Sequence, residues 1–284
     1  MKNDKPIIAI CYDFDKTLSP DNMQAQGYLA AINYENQNDF WAKANDLANK
    51  NGMDKDLAWM HLMLKEAHGK VIFNKKNLME YGASVHMYPG VEEWFDRINK
   101  YGEEHGIQVE HYIISSGIKE MIEGTEPAKK GAFKKIYASS YLYDEDGVAV
   151  WPAQVINYTT KTQFLFRISK GTLDINDDNV NRHFDRSELR VPFSNMVYIG
   201  DSDTDVPCMK LTKVNGGYSI GVYNPQEPED TKFNKVHQMM RDNRINFFAA
   251  ADYREGSELD TLIKTIIDKT ECNEKLIEKG RYTP

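Results

Sequence analysis

Residues Ile7–Tyr12 form an unbroken apolar run that ends abruptly at Asp13. The run is too short for a helix and apolar on both sides of a pleat. It predicts a strand covered on both faces, as in a parallel sheet. A second run, Val109–Ile114, ends in Ser115-Ser116-Gly117, and a third, Met196–Ile199, ends in Gly200-Asp201-Ser202-Asp203. Three strands from distant parts of the chain thus run out into polar residues. Open α/β sheets collect ligands beyond the carboxyl ends of their strands. The pattern predicts an α/β core with a site built from those three ends.

From Asp21 to His86 the pattern changes to helical spacing. Helices are predicted over Asn22–Ile32, Asn38–Lys50, Lys55–His68 and Asn74–Tyr81, with breaks at Gly52 and Gly69. Leu57, Met60, Leu64 and Ala67 recur on one face. A helical bundle over residues 21–87, inserted into a core of residues 1–20 and 88–284, follows from this. Pro89-Gly90 opens a helix over Val91–Tyr101. A hairpin is predicted with strands Tyr137–Tyr143 and Val148–Trp151 around Asp144-Glu145-Asp146-Gly147. Thr159 or Thr160 is expected to cap a helix over Lys161–Ser169. Gly171–Pro192 is polar and irregular, and Ser257 is expected to cap a last helix to Ile277.

The 284 residues are 41% hydrophobic with a formal net charge of −8, so a buried core is feasible and a nucleic-acid partner is not expected. A small phosphorylated ligand is compatible, because a metal and one local cation override the global sign. Cys11, Cys208 and Cys272 are widely spaced and suggest neither zinc nor a disulfide framework. No run is long enough to span a membrane, and the first apolar run is too short for a signal peptide. A cytoplasmic protein is the expectation.

The chemistry concentrates at the strand ends. Asp13 and Asp15 leave the first strand two residues apart, where one carboxylate could attack phosphorus and the other could exchange protons. Gly200-Asp201-Ser202-Asp203-Thr204-Asp205 offers oxygen ligands suited to a hard divalent cation. Ser115, with Ser116 and Gly117, offers hydroxyls and exposed N–H groups to a phosphate. Taken singly, an Asp-rich loop, a helix-capping serine and a surface lysine at Lys161 are the ordinary readings.

In series, Asp13-x-Asp15-x-Thr17, strand-then-Ser115, Lys161 and Gly200-Asp201-x-x-x-Asp205 strongly resemble the motifs of the haloacid dehalogenase-like superfamily. The resemblance implies a Rossmann-like, doubly wound, mostly parallel sheet with Mg²⁺ as cofactor. It implies Asp13 as nucleophile and metal ligand. Asp15 becomes the acid/base, binding metal through its backbone carbonyl, and Thr17 positions the loop. Ser115, Ser116, Gly117 and Lys161 become phosphate contacts, Asp201 a metal ligand, and Asp205 a support for Lys161 or the metal. The inserted helices and Tyr88-Pro89-Gly90-Val91 resemble the C1 cap of the phosphoserine phosphatase branch. The implied activity is Mg²⁺-dependent hydrolysis of a small phosphorylated metabolite through an aspartyl-phosphate.

The match departs from that branch in two places. No Glu follows Thr17 in the stretch to Gln24, and the first arginine is Arg97, beyond the cap. An arginine fork is the natural partner of a substrate carboxylate, which argues against phosphoserine. Within the insertion, Met23, Trp41, Lys43, Trp59, His61, Lys65 and His68 are candidate substrate contacts, though bundle core or solvated face is the commoner fate of such residues. Dehalogenase or phosphomutase chemistry and a non-catalytic phosphate-binding module are the competing readings. Asp15 speaks against a dehalogenase, and the motif order against a receiver-type module.

Overall fold

The computed structural model describes residues 5–185, 187–228 and 233–280. Strands β1 (Ile7–Tyr12), β2 (Gln108–Ile118), β3 (Lys135–Tyr143), β4 (Ala149–Gln154), β5 (Met196–Gly200), β6 (Tyr218–Tyr223) and β7 (Phe247–Ala250) form one sheet. Their order is β4-β3-β2-β1-β5-β6-β7. All neighbours are parallel except the β3–β4 hairpin. The chain winds outward from β1 in both directions, so strand order reverses beside β1, where open sheets leave a crevice.

Alternation along the central strands decides what covers the sheet. Ile8, Ile10, Tyr12, Ile113, Val197 and Ile199 face one apolar cluster. Ala9, Cys11, Tyr112, Ile114, Met196 and Tyr198 face the other. The first layer holds helix α5 (Val91–Glu104) and the C-terminal helix α11 (Glu258–Gly280), and the second holds α8 (Thr162–Lys170) and α9 (Val206–Val214). One buried polar chain crosses the first layer. The Trp94 indole N–H donates to Tyr12 Oη at 2.8 Å, Tyr12 Oη meets His111 Nδ1 at 2.9 Å, and His111 Nε2 meets Asn99 Oδ1 at 3.1 Å. Burial drives the His111 pKa down to about 3, so this imidazole is neutral and structural.

Between β1 and α5 lies the helical insertion. It holds α1 (Tyr28–Ala31), α2 (Gln37–Asn51), α3 (Lys55–Ala67) and α4 (Lys75–Ala83). The predicted helix over Asn22–Ile32 is not continuous. A 3₁₀ turn over Met23–Ala25 precedes α1, and Gly27, at φ +134°, separates them. The other three helices fall within a few residues of expectation. The insertion is pinned to the core at several points. The Ala149 N–H donates to the Phe73 carbonyl at 2.8 Å, Tyr141 Oη to the Met60 carbonyl at 2.8 Å, and Asn157 Nδ2 to Asp54 Oδ2 at 2.7 Å. Helix α4 also lies directly against the short α6 (Lys119–Glu123).

Among its described residues, the polar stretch Gly171–Pro192 holds one short element, the 3₁₀ turn Asp178–Asn181. It is organised from below. Buried Arg167 donates to the carbonyls of Asp174, Ile175 and Asp177 at 2.6, 2.7 and 3.0 Å. Arg190 closes the stretch with a two-pronged ion pair to Glu110, at 2.8 and 2.6 Å. The final helix begins where expected, with the Asp260 N–H donating to Ser257 Oγ at 3.1 Å. Elements without a sequence expectation include β6, β7, α6, α7 (Glu126–Lys129) and α10 (Asn234–Arg241).

Gly82 and Gly124 let α4 and α6 touch backbone to backbone. A Cβ on Gly82 would stand 1.9 Å from the Met121 carbonyl oxygen, and one on Gly124 would stand 2.0 Å from that of Met79. Gly82→Ala is expected to destabilise the protein by about 2 kcal/mol or more, read as a lower urea midpoint. An unchanged midpoint would contradict the close α4–α6 contact.

Candidate active site

Past β1 the backbone curls tightly. The Asp13 N–H still donates to the Ile199 carbonyl at 2.9 Å, in step with β5. The Phe14 carbonyl then accepts from Thr17, Leu18 and Ser19 at 3.2, 2.9 and 3.2 Å. Lys16 at the crown has φ +59°, a left-handed conformation that is uncommon outside glycine and typical of constrained functional loops. Tyr253 Oη holds the Thr17 carbonyl at 2.8 Å, and the Tyr88 N–H holds that of Leu18 at 2.9 Å.

This curl sends the two carboxylates to different surroundings. Asp13 and Asp205 are buried, Asp201 is half-buried, and oxygens of these three lie within 4.8 Å of one another. Asp15 is not in that trio. Its Oδ1 accepts the Met23 N–H at 2.8 Å. Its Oδ2 lies beside Gly117, where a Cβ would come within 3.2 Å of it and within 2.3 Å of Met23 Cε. Glycine at 117 therefore leaves the space that Asp15 and Met23 occupy.

Lys161 is the sole buried ammonium among the described residues. It donates to Asp205 Oδ1 at 2.7 Å and stands 3.1 Å from Asp13 Oδ1, an ion pair without hydrogen-bond geometry. Asp205 is filled by protein donors. Tyr198 Oη reaches its Oδ1 at 2.9 Å, and the Ser202 N–H and Oγ reach its Oδ2 at 3.1 and 3.2 Å. Asp201 accepts only a long contact from Thr17 Oγ1, at 3.5 Å. Ser115 is buried with its Oγ accepting the Gly117 N–H at 3.0 Å, while the buried Ser116 Oγ has no partner.

The local structure around two of these residues differs from expectation. Ser115–Gly117 do not follow the end of a strand. They form an irregular stretch within β2, whose pairing with β3 shifts between Ile114 and Ile118. Lys161 does not start an exposed helix capped by Thr159 or Thr160. It ends a 3₁₀ turn over Tyr158–Lys161 capped by Asn157, which turns the side chain inward.

Burial without enough positive charge governs the titration of the cluster. Burial, then repulsion from Asp205, pushes the Asp13 pKa up to about 6 despite Lys161. Burial, then Asp205 and Asp13, pushes Asp201 to about 8. Asp15 is held well above the carboxylate range by burial and by Asp13. Burial opposes the charge on Lys161, but Asp13 and Asp205 together keep its pKa above the ordinary lysine value. Crowded hard oxygen donors with an uncompensated charge fit a divalent cation of the Mg²⁺ kind.

Most of the insertion candidates lie elsewhere. His61, Lys65 and His68 are exposed, and Lys43 pairs with Glu66 on the outer surface. Met23 reaches the site through its backbone and through its Sδ, which accepts the Ile118 N–H at 3.3 Å. Trp41 and Trp59 line a cavity next to Asp15. Asp56 and Gln24 line it too and had no sequence expectation. The i,i+3 spacing of Asp56 and Trp59 on a predicted helix could have revealed the first.

A carboxylate with a raised folded-state pKa costs stability as pH rises through the interval above its unfolded value. Metal-free wild type therefore loses stability from Asp201 between about pH 4 and pH 8. Asp201→Asn removes that loss. Its metal-free melting temperature at pH 8 is expected to exceed wild type by about 2 °C or more. The gap should shrink toward pH 4, and an equal or lower value at pH 8 would contradict the crowding.

A family model for haloacid dehalogenase-like hydrolases matches residues 10–210. An uncharacterized protein of Borreliella burgdorferi is 26% identical over 286 residues, covering 91% of this chain and 96% of that protein. A HAD family hydrolase from Salmonella enterica subsp. enterica serovar Typhi has the same fold, with TM-score 0.58 and 13% identity over 92% of this chain and 72% of that one. So does a substrate-bound phosphoserine phosphatase, with TM-score 0.56 and 12% identity over 92% of this chain and 99% of that one. The family model spans most of the sequence, motif residues included, and this chain belongs to the haloacid dehalogenase-like hydrolases.

Proposed function

We propose that this hydrolase is a Mg²⁺-dependent phosphomonoesterase that works through an aspartyl-phosphate on Asp13. The observation that carries the reading is the division of the acidic pair. Asp13 faces Lys161 and the carboxylate trio, while Asp15 faces a cavity with a raised pKa. A nucleophile needs the first environment and a proton donor the second. The phosphatase relatives in fold support the same reaction class.

Asp13 attacks phosphorus in line, and the bond to the leaving oxygen breaks as Asp15 gives that oxygen its proton. Asp15 then takes a proton from water, whose oxygen attacks the aspartyl-phosphate and frees Asp13 and phosphate. Lys161 offsets charge on Asp13 and on the phosphoryl oxygens. Asp205 acts through Lys161, because its own oxygens are filled. The unpartnered Ser116 Oγ and the Ser115–Gly117 backbone receive the phosphoryl group. Asp13, Asp201 and the Asp15 carbonyl would hold Mg²⁺, which supplies charge neutralisation when bound. Residues 21–87 serve as the cap that reads the leaving group, and a small phosphorylated metabolite is the substrate.

Phosphate release from p-nitrophenyl phosphate and from an alkyl phosphate, with Mg²⁺, tests this reading. Asp13→Asn should lose at least about 10³-fold on both, because the covalent route is gone. Asp15→Asn should lose more kcat/KM on the alkyl ester, because the poorer leaving group depends more on the proton. Normal turnover by Asp13→Asn would sink the nucleophile assignment, and equal losses by Asp15→Asn would sink its role as acid.

A further inference from the structure

The cavity beside Asp15 has the chemistry of a cation site. It measures about 310 Å³, near the small end of the roughly 300–1,000 Å³ usual for small-molecule sites. Its walls include Asp15, Gln24, Trp41, Asp56, Trp59 and Ser116, and among the described residues no lysine, arginine or histidine lines it. A leaving group that carries a carboxylate would meet Asp56 with nothing to neutralise it.

Three features point to what it does hold. Asp56 fixes the Trp59 ring by accepting its indole N–H on Oδ1 at 2.8 Å, and its Oδ2 makes no hydrogen bond among the described residues. Burial raises its pKa above the ordinary aspartate value, although Lys161 and Lys55 act at a distance to lower it. Gln24 is 2% exposed, and its buried Oε1 has no partner. Trp41 and Trp59 meet at 76°, with centroids 6.2 Å apart. Parallel rings would sandwich a planar base. Rings at this angle make a corner instead, which suits a compact cation attracted to aromatic faces.

Building on the phosphatase reading above, we propose that the substrate is the phosphomonoester of a small amino alcohol. Its cationic nitrogen rests against Trp41, Trp59 and Asp56, and its phosphate lies at Asp13. The insertion thus selects the leaving group by charge, and selects against phosphoserine through the same Asp56.

The test compares kcat/KM for phosphocholine and phosphoethanolamine with that for 3,3-dimethylbutyl phosphate, the uncharged isostere of the first. Phosphoserine, a nucleoside monophosphate and p-nitrophenyl phosphate complete the panel. At least one cationic ester should exceed the neutral isostere by about tenfold or more, and phosphoserine should fall below both. In Asp56→Asn the ratio of cationic to neutral ester should fall about tenfold. A wild-type ratio near one, or a preference for the nucleotide, with Asp13-dependent release from the neutral and aryl esters, overturns the cation site and leaves the phosphatase reading standing. No release from any ester overturns both.

Discussion

The active site depends on one buried ammonium. Lys161 is closed to solvent, 2.7 Å from Asp205 and 3.1 Å from Asp13. Without it, Asp13, Asp201 and Asp205 would crowd their negative charge into a largely buried cluster with no buried cation among the described residues, which no fold sustains cheaply. Even with it, Asp13 and Asp201 titrate near 6 and 8. The protein holds a carboxylate cluster that is only half neutralised. That residual charge makes the cluster receptive to a divalent cation and a phosphoryl group.

The architecture keeps the other functional carboxylate out of this cluster. The Phe14 carbonyl collects three N–H donors, Lys16 takes up the left-handed turn, and Asp15 emerges beside Met23 and Gly117. One tight turn thus places Asp13 and Asp15, two residues apart, in different electrostatic environments. The insertion follows the same loop and borrows Asp15 as a wall of its own cavity. It is anchored by direct backbone contact of α4 on α6 and by hydrogen bonds to the β3–β4 hairpin. The walls of that cavity are therefore built from the core as well as from the insertion.

Much of this was legible in the residues. A parallel strand buried on both faces is a short apolar run, and in β1, β2 and β5 polar residues follow that run directly. That is why Asp13 and Asp201 could be assigned to strand ends, whereas Ser115 lies within β2, in the irregular stretch after Ile114. Strand β6 carries Ser219 and Gly221 within it, and β7 is only four residues, so neither stood out from its flanks. The break at Gly27 depends on a backbone conformation that helical spacing does not reveal. A lysine at a helix start is normally on the surface. Lys161 is buried because Asp205, far along the chain, comes to meet it, and only the motif series as a whole pointed there. Asp56 and Gln24 were missed because their significance lies in whom they face across α2, α3 and the first loop. Helical spacing offers only the Asp56–Trp59 pairing and carries no trace of Gln24.

The covalent intermediate is the central claim, and it can be observed directly. Wild type mixed with Mg²⁺ and p-nitrophenyl phosphate is quenched in acid during turnover, digested and fragmented by mass spectrometry. The account predicts a phosphoryl adduct on Asp13, removed by mild base. An adduct on another residue, or steady turnover with no adduct at any quench time, would contradict it.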